Sequence, residues 1–223
     1  MEKANSAKEA ARLIEDGMVI GIGSGSTVEI FLNELGKRIK EEELEIWGVP
    51  SSYQSHMLAV ENGITVTDLI QFEELDLCVD GADQVDENLN CIKGKGGALL
   101  REKIVAQAAE EVIIIVDSRK IVDVLDERVP VEVFPFAYGN AVKEIKKLGG
   151  EAVLRESDRK LGACITDNGN FILDVDFGRI EDPEGLECRI NCIAGVFENG
   201  IFPRRLIDRV IVGTKDGVRV LRN

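Results

Sequence analysis

Residues 75–103 read LDLCVDGADQVDENLNCIKGKGGALLREK, and this stretch decides the fold prediction. It opens with an apolar run at residues 75–79, which is long enough for one buried strand, and Asp80 follows directly. In open α/β sheets, ligands bind beyond the carboxyl ends of the strands. The run therefore predicts that Asp80 lies at the ligand-binding edge of such a sheet.

The same stretch carries several ionisable side chains close to that edge. Asp80 and Asp83 stand three residues apart, Lys93 lies in a glycine run, and Glu102 lies between basic residues. A polar surface loop followed by a helix with solvated charges would explain any one of these residues alone. The whole constellation instead favours a site for proton transfer on an anionic substrate.

A second glycine-rich segment lies nearer the N-terminus. An apolar run at residues 18–22 is followed by GSGST at residues 23–27 and then by a helical pattern. Glycines let a backbone approach a ligand closely, and free N–H groups at a helix start attract phosphate. Ser26 occupies the place of the third glycine of a dinucleotide motif, and no Gly-Lys-Ser/Thr of a P-loop follows. The segment predicts a site for the phosphate of a small molecule, with a tight strand-to-helix turn as the alternative.

Composition limits the partners and the compartment of the chain. Its 27 Lys and Arg against 41 Asp and Glu give a formal net charge of −14, which argues against nucleic acid and against an anionic membrane surface. The apolar run at residues 112–116 is far too short to span a bilayer, and residues 1–11 do not resemble a signal peptide. The 5 cysteines are scattered without a Cys-x-x-Cys pair, which predicts reduced thiols in a cytoplasmic protein.

Alternating strand and helix patterns predict a parallel sheet covered on both faces. Strands are predicted at residues 18–22, 44–49, 64–66, 75–79 and 112–116, and helices at residues 4–15, 27–40, 52–62 and 98–109. The last two strands, at residues 210–212 and 218–221, are expected to return to this sheet.

After Asp126 the pattern changes to that of a small α+β domain of the ferredoxin-like kind. Strands are predicted at residues 131–134, 152–155, 161–166 and 171–176, and helices at residues 141–148 and 183–192. The Asn168-Gly169 pair between two of these strands indicates a hairpin. The predicted division is therefore an α/β catalytic domain at residues 1–128 plus about 203–223, and a small α+β domain at residues 129–202.

The motifs, taken in order along the chain, closely resemble those of type A ribose-5-phosphate isomerases. The resembling pieces are GIGSGSTV at 21–28, DGAD at 80–83, KGKGGALLREK at 93–103, DSRK at 117–120, PVEVFPF at 130–136 and VGTKDGV at 212–218. GSGST also occurs in other sugar-phosphate proteins, whereas DGAD followed by KGxGGAxxREK is highly specific. The chain departs from the family pattern at Lys95, where glycine is usual, at Gln84, where Glu is common, and at Ser24, where Thr is more usual.

This resemblance implies a Rossmann-like α/β domain that carries a smaller α+β domain. It implies an isomerase of the non-oxidative pentose phosphate pathway, which interconverts D-ribose 5-phosphate and D-ribulose 5-phosphate through an enediolate without a metal or another cofactor. It also implies a homodimer or a homotetramer. The remaining alternatives are a sugar-phosphate-binding sensor domain, which would have little use for the Asp, Lys and Glu set, and an amino-sugar phosphate deaminase of related fold.

The resemblance also assigns roles by motif position. Glu102 is implied to be the base that moves a proton between C2 and C1, and Lys93 to stabilise the enediolate. Asp80 and Asp83 are implied to handle hydroxyl protons and ring opening. The implied substrate-binding residues are Ser24, Gly25, Ser26, Thr27, Gly81, Ala82, Gly94, Lys95, Gly96, Lys120 and Lys3.

Overall fold

The computed structural model describes residues 1–157 and 161–223 of the chain. The helices are α1 (Glu2–Ala11), α2 (Ser26–Glu42), α3 (Tyr53–Glu61), α4 (Leu99–Gln107), α5 (Tyr138–Lys147) and α6 (Pro183–Asn191). The strands are β1 (Val19–Ile22), β2 (Trp47–Pro50), β3 (Thr65–Val66), β4 (Leu77–Gly81), β5 (Gln84–Val85), β6 (Cys91–Ile92), β7 (Val112–Asp117), β8 (Val129–Val133), β9 (Glu151–Leu154), β10 (Phe171–Asp176), β11 (Val196–Asn199), β12 (Ile201–Phe202), β13 (Arg209–Thr214) and β14 (Gly217–Arg222).

The largest sheet has seven strands in the order β14-β13-β7-β4-β1-β2-β3, and only β14 runs antiparallel to its neighbour. Its strands are continuous apolar runs because both faces are covered. In β7, Ile113 and Ile115 pack into the core under α1 and α2, while Ile114 and Val116 pack into the core that α4 covers. The predicted Rossmann-like α/β architecture is confirmed.

A four-stranded antiparallel sheet in the order β11-β8-β10-β9 forms the second unit. The chain runs β8-α5-β9-β10-α6-β11, which is the ferredoxin-like sequence of elements. Apolar residues of α5 and α6, among them Ile145 and Ile190, pack on this sheet in a core of its own. The predicted small α+β fold is confirmed, although strand β11 was not predicted from the sequence.

The division of the chain follows from which residues supply each sheet. Strands of the large sheet lie within residues 19–117 and 209–222, and strands of the small sheet within residues 129–199. We therefore propose the domain boundaries that the sequence predicts. The α/β domain comprises residues 1–128 and about 203–223, and the small domain comprises residues 129–202.

Two local predictions are wrong. Residues 161–166 do not form a strand, and only isolated bridges pair Ala163 with Glu156 and Ile165 with Phe171. Leu161 is fully exposed and Gly162 has a φ of +100°, so a strand cannot start at the predicted place. The helix predicted over residues 4–15 ends at Ala11 instead.

The early end of α1 has a local cause in the side chain of Arg38. Its Nη1 donates to the carbonyls of Ala11 at 2.5 Å and of Ile14 at 2.8 Å. The carbonyl of Ala11, which a longer helix would use, therefore accepts a hydrogen bond from the guanidinium. The N–H of Glu15 turns instead to the sulfur of Met18, 3.3 Å away.

The shortest strands have too few residues to show an alternating pattern and were not predicted from the sequence. β12, β6 and β5 form a three-stranded sheet of two-residue strands. In the chain, β5 and β6 lie between β4 and β7 of the large sheet, and β12 lies between β11 of the small sheet and β13. Strand β12 carries Phe202, which is fully buried. None of the described helices is long and apolar enough to cross a bilayer.

Candidate active site

The carboxyl ends of β1 and β4 lie side by side, with Ile22 in register with Val79. The loop after β1 consequently passes over Asp80. A Cβ on Gly23 would lie 1.9 Å from Oδ1 of Asp80, so only glycine fits at this position. Oδ1 of Asp80 accepts hydrogen bonds from the N–H groups of Ser24 at 3.1 Å and Gly81 at 2.7 Å. Asp80 therefore lies at the carboxyl end of a strand of the parallel sheet, as the sequence predicts, and its contact with a ligand stays a prediction.

A buried row of three charges starts at Asp80. Nζ of Lys93 lies 2.7 Å from Oδ2 of Asp80 and 3.5 Å from Oε2 of Glu102, and it also donates to the carbonyl of Gly81 at 2.6 Å. The three ionisable side chains are each no more than 4% exposed. The ammonium also lies 5.0 Å from the centroid of the Phe202 ring, a distance at which cation–π attraction operates.

Of the three side chains in this row, Glu102 has the fewest hydrogen-bond partners. Its Oε2 is buried and has no hydrogen-bond partner within the described residues, because Lys93 is close enough for charge attraction but not for a hydrogen bond. Burial, with the negative charge of Asp80 added, raises the pKa of Glu102 from the ordinary 4.5 to about 8, against the opposing effect of Lys93. Such a carboxylate is a stronger base than an exposed one.

Lys93 responds to the same surroundings in the opposite sense. Burial alone would lower the pKa of its ammonium, but the charges of Asp80 and Glu102 outweigh that effect and raise the pKa above its usual value. Lys93 therefore remains a cation at neutral pH. The site thus holds a fixed positive charge directly beside a carboxylate that ionises near neutral pH.

The row borders a cavity of about 350 Å³. Its lining consists of Lys3, Ser24, Gly25, Ser26, Thr27, Gly81, Ala82, Asp83, Lys93, Gly94, Lys95, Gly96, Glu102 and Lys120. All the residues singled out in the sequence are thus gathered at one place, with Asp80 next to the lining through its contact with Lys93. Their individual roles stay predictions.

One end of the cavity is suited to an anion. Helix α2 begins at Ser26 after Gly25, and no side chain caps its first turn. Its free N–H groups and the positive end of its dipole favour negative charge. Nζ of Lys3 lies 2.8 Å from Oγ of Ser26, and Lys120 lies on the same lining.

Lys95 occupies the cavity wall mainly with its backbone. Its side chain is 58% exposed and pairs with Glu127 at 2.7 Å, while its N–H donates to Oδ2 of Asp83 at 3.1 Å. Gln84, the other departure from the family pattern, binds the backbone N–H groups of Asp126 and Glu127 at 2.9 Å each.

Three neighbours of the site were not identified from the sequence. Ser51 and Ser52 follow β2 at the same sheet edge, and their hydroxyls lie 2.9 Å and 2.7 Å from Oγ of Ser24. Their position directly after a predicted strand could have identified them as candidates for the site. Phe202, under the Lys93 ammonium, is more than one hundred residues away in the chain and gave no signal. Within residues 1–157 and 161–223, no group of three or more His, Cys, Asp or Glu side chains is arranged to hold a metal ion.

Comparison with known proteins yields one family. The model of ribose 5-phosphate isomerase A (phosphoriboisomerase A) matches residues 47–217. Ribose-5-phosphate isomerase A of Archaeoglobus fulgidus is 60% identical over 221 residues, which cover 98% of each chain. The solved structure of ribose 5-phosphate isomerase A from Methanocaldococcus jannaschii superposes with a TM-score of 0.95 at 47% identity, over 99% of this chain and 98% of that one. A D-ribose-5-phosphate isomerase in complex with phospho-erythronic acid gives a TM-score of 0.96 at 48% identity, over 100% and 98% of the two chains.

The raised pKa of Glu102 has a measurable effect on stability. Between pH 4.5 and about 8 the folded chain binds more protons at this group than the unfolded chain, so the free energy of unfolding falls as pH rises. Glu102→Gln removes this contribution. We expect the stability of the variant relative to the wild type to increase from pH 5 to pH 8, by at most about 1.4 kcal/mol per pH unit, in urea titrations. A relative stability that stays constant across this range would contradict the raised pKa.

Proposed function

The chain belongs to the ribose 5-phosphate isomerase A family, and we propose that Glu102, Lys93 and Asp80 carry the chemistry of its reaction. The protein is an aldose–ketose isomerase that interconverts D-ribose 5-phosphate and D-ribulose 5-phosphate. The observation that supports the assignment of roles is the buried Asp80–Lys93–Glu102 row, in which Oε2 of Glu102 has no hydrogen-bond partner in the described chain. Neither the sensor nor the deaminase alternative is favoured by the relatives.

We propose that the phosphate of the substrate binds at the start of α2. Ser26 and Thr27 in the first turn of this helix, together with Lys3 and Lys120, line the cavity, and Nζ of Lys3 lies 2.8 Å from Oγ of Ser26. They give an otherwise acidic protein the local positive charge that a phosphate needs. One solved relative is in complex with phospho-erythronic acid, which supports a phosphorylated ligand for a protein of this fold.

In the proposed reaction Glu102 transfers the proton between the two carbons. Its carboxylate removes the hydrogen on C2 of the open-chain aldose, the released electron pair forms the C1=C2 bond, and negative charge develops on O1. The same proton is then returned to C1, and the hydroxyl proton of O2 moves to O1, so that a ketone forms at C2. A base with a pKa of about 8 is matched to this work near neutral pH.

Lys93 has the charge that the enediolate requires. Its ammonium is held by Asp80 and the Gly81 carbonyl before any substrate binds, so the cation needs no reorganisation during the reaction. Asp80 in this scheme keeps Lys93 in place, and Asp83, which lines the same cavity, is available for hydroxyl protons and ring opening. We propose that this lysine makes a metal ion unnecessary.

We also propose a cytoplasmic homodimer or homotetramer. Cys78 and Cys91 are buried free thiols, which suits a reducing compartment. Phe136 is 92% exposed and its ring lies 6.4 Å from that of Phe134, which in turn is 6.5 Å from the ring of Phe197. An exposed aromatic cluster of this kind supports self-association.

The metal-free scheme predicts how the enzyme responds to a chelator. Isomerisation of ribose 5-phosphate should continue at an unchanged rate in excess EDTA, because Lys93 already supplies the cation beside the reacting oxygens. The measurement is the initial rate of ketose formation before and after prolonged chelation. Activity that disappears in EDTA and returns with a divalent ion would refute the scheme.

The sharpest prediction concerns Glu102. Glu102→Gln keeps the size of the side chain but removes the proton acceptor, so kcat should fall by at least about 10²–10⁴-fold, while KM stays close to that of the wild type. The matched control is Glu110→Gln, which changes an exposed carboxylate just after the same helix and should keep normal activity. If Glu102→Gln retained near-normal kcat, Asp80 or Asp83 would have to be the base.

The two lysines of the glycine loop are expected to differ. Lys93→Ala removes the buried cation and should lower kcat by about 10²–10³-fold, the usual loss for a stabiliser of a developing oxyanion. Lys95→Ala removes an exposed side chain that pairs with Glu127 and should cost much less. Circular dichroism would verify that both variants are folded, and equal losses in kcat/KM would contradict the ranking.

A further inference from the structure

The loop that carries Lys93 is held from outside the cavity by Arg155, the residue after β9. The N–H of Arg155 donates to the carbonyl of Ile172 at 2.8 Å, which anchors its backbone to the small sheet. Its guanidinium forms two parallel bonds with Asp174 of β10, at 2.9 Å from Nε to Oδ2 and 2.5 Å from Nη2 to Oδ1. The arginine side chain is 16% exposed, so its direction is fixed.

The remaining nitrogen of the guanidinium points at the loop. Nη1 donates to the carbonyl of Lys95 at 2.9 Å and to that of Gly94 at 3.3 Å. The Gly94 carbonyl and the Lys95 N–H belong to one trans peptide unit, so they point in opposite directions. That N–H donates to Oδ2 of Asp83 at 3.1 Å. One peptide unit therefore lies between an arginine of the small sheet and a carboxylate on the cavity wall.

We propose that Arg155, held by Asp174, is a positioning residue that acts on Asp83 through the Gly94–Lys95 peptide. A cation on the carbonyl oxygen polarises the amide and strengthens the hydrogen bond that its N–H donates on the other side. The positive φ of Gly94, +94°, allows the peptide to take this orientation. The inference rests on the proposed role of Asp83 in the isomerisation.

The same contact fixes the cavity wall as a whole. Lys93, Gly94, Lys95 and Gly96 all line the cavity, and Arg155 donates to two successive carbonyls of this run. A shift of about 1 Å in a catalytic group can lower a rate by about 10²-fold. The small sheet thus has a part in catalysis through a residue that touches no substrate.

A matched control exists in the chain, because Arg38 has the same bonding pattern at a different place. It binds Glu42 through two bonds, at 2.8 Å and 2.6 Å, and its Nη1 donates to two carbonyls at the end of α1. Arg38→Met therefore removes the same kinds of bonds without contact to the loop. Comparison of Arg155→Met with Arg38→Met separates a general loss of stability from a loss of positioning.

The experiment measures kcat and KM for ribose 5-phosphate in four variants. They are Arg155→Met, Arg38→Met, Asp83→Asn and the double variant Arg155→Met with Asp83→Asn. We expect Arg155→Met to lower kcat/KM by about 10–100-fold relative to Arg38→Met. In the Asp83→Asn background the same change should cost less than about threefold, because the group through which it acts is already altered.

Each result decides between the alternatives. Arg155→Met within about threefold of Arg38→Met would overturn the proposal, and so would an equal loss with and without Asp83→Asn. Full activity of Asp83→Asn would instead overturn the proposed role of Asp83. If Arg155→Met did not fold, Arg155→Lys would replace it, since lysine can reach a carbonyl but cannot also bind Asp174 through two bonds. The same criteria then apply.

Discussion

The burial of Lys93 between Asp80 and Glu102 is the constraint on which the rest of the structure depends. Ionisable groups removed from water carry a large desolvation penalty in their charged forms unless protein groups replace the hydrogen bonds to water. Asp80 meets this need with two backbone N–H groups, and Lys93 with a carbonyl and an aromatic ring. Glu102 is left with an oxygen that has no hydrogen-bond partner among the described residues. The part of the penalty that is not offset appears as a raised pKa of Glu102, which is the property that its proposed role as a base requires.

At two positions, glycine is required because the chain packs against residues of this buried row, and not because a turn requires it. A side chain at Gly23 would collide with Asp80, and a Cβ at Gly200 would lie 2.3 Å from the carbonyl oxygen of Lys93. Gly200 in turn accepts a hydrogen bond from the N–H of Lys93 at 2.9 Å. The segment between the small sheet and β12 therefore packs directly against the backbone of Lys93. Close backbone packing explains why glycine is needed at position 200.

The sequence revealed the parts of the site that lie at the ends of regular elements. Asp80 follows an apolar strand, and Ser26 opens a helix after a glycine turn, so periodicity alone locates both at one sheet edge. The residues that orient these side chains could not be predicted from the sequence. Phe202 and Arg155 reach the site from distant segments of the chain, and the residues around them form no recognisable motif. The prediction of a strand at residues 161–166 was wrong for a related reason. A run of hydrophobic residues does not form a strand unless another part of the chain packs on it.

Helix α4 connects the chemistry to the small sheet through two consecutive residues. Glu102 faces the cavity, whereas Lys103 is directed into a buried pair of carboxylates, 3.2 Å from Glu187 on α6 and 2.7 Å from Glu198 on β11. The ring of Phe202 lies 4.9 Å from the Lys103 ammonium as well as 5.0 Å from that of Lys93. Because a buried charge without its partner is strongly destabilising, α4 has little freedom to rotate about its axis. The direction of the Glu102 side chain is therefore limited by the ion pairs of its neighbour in the helix, Lys103.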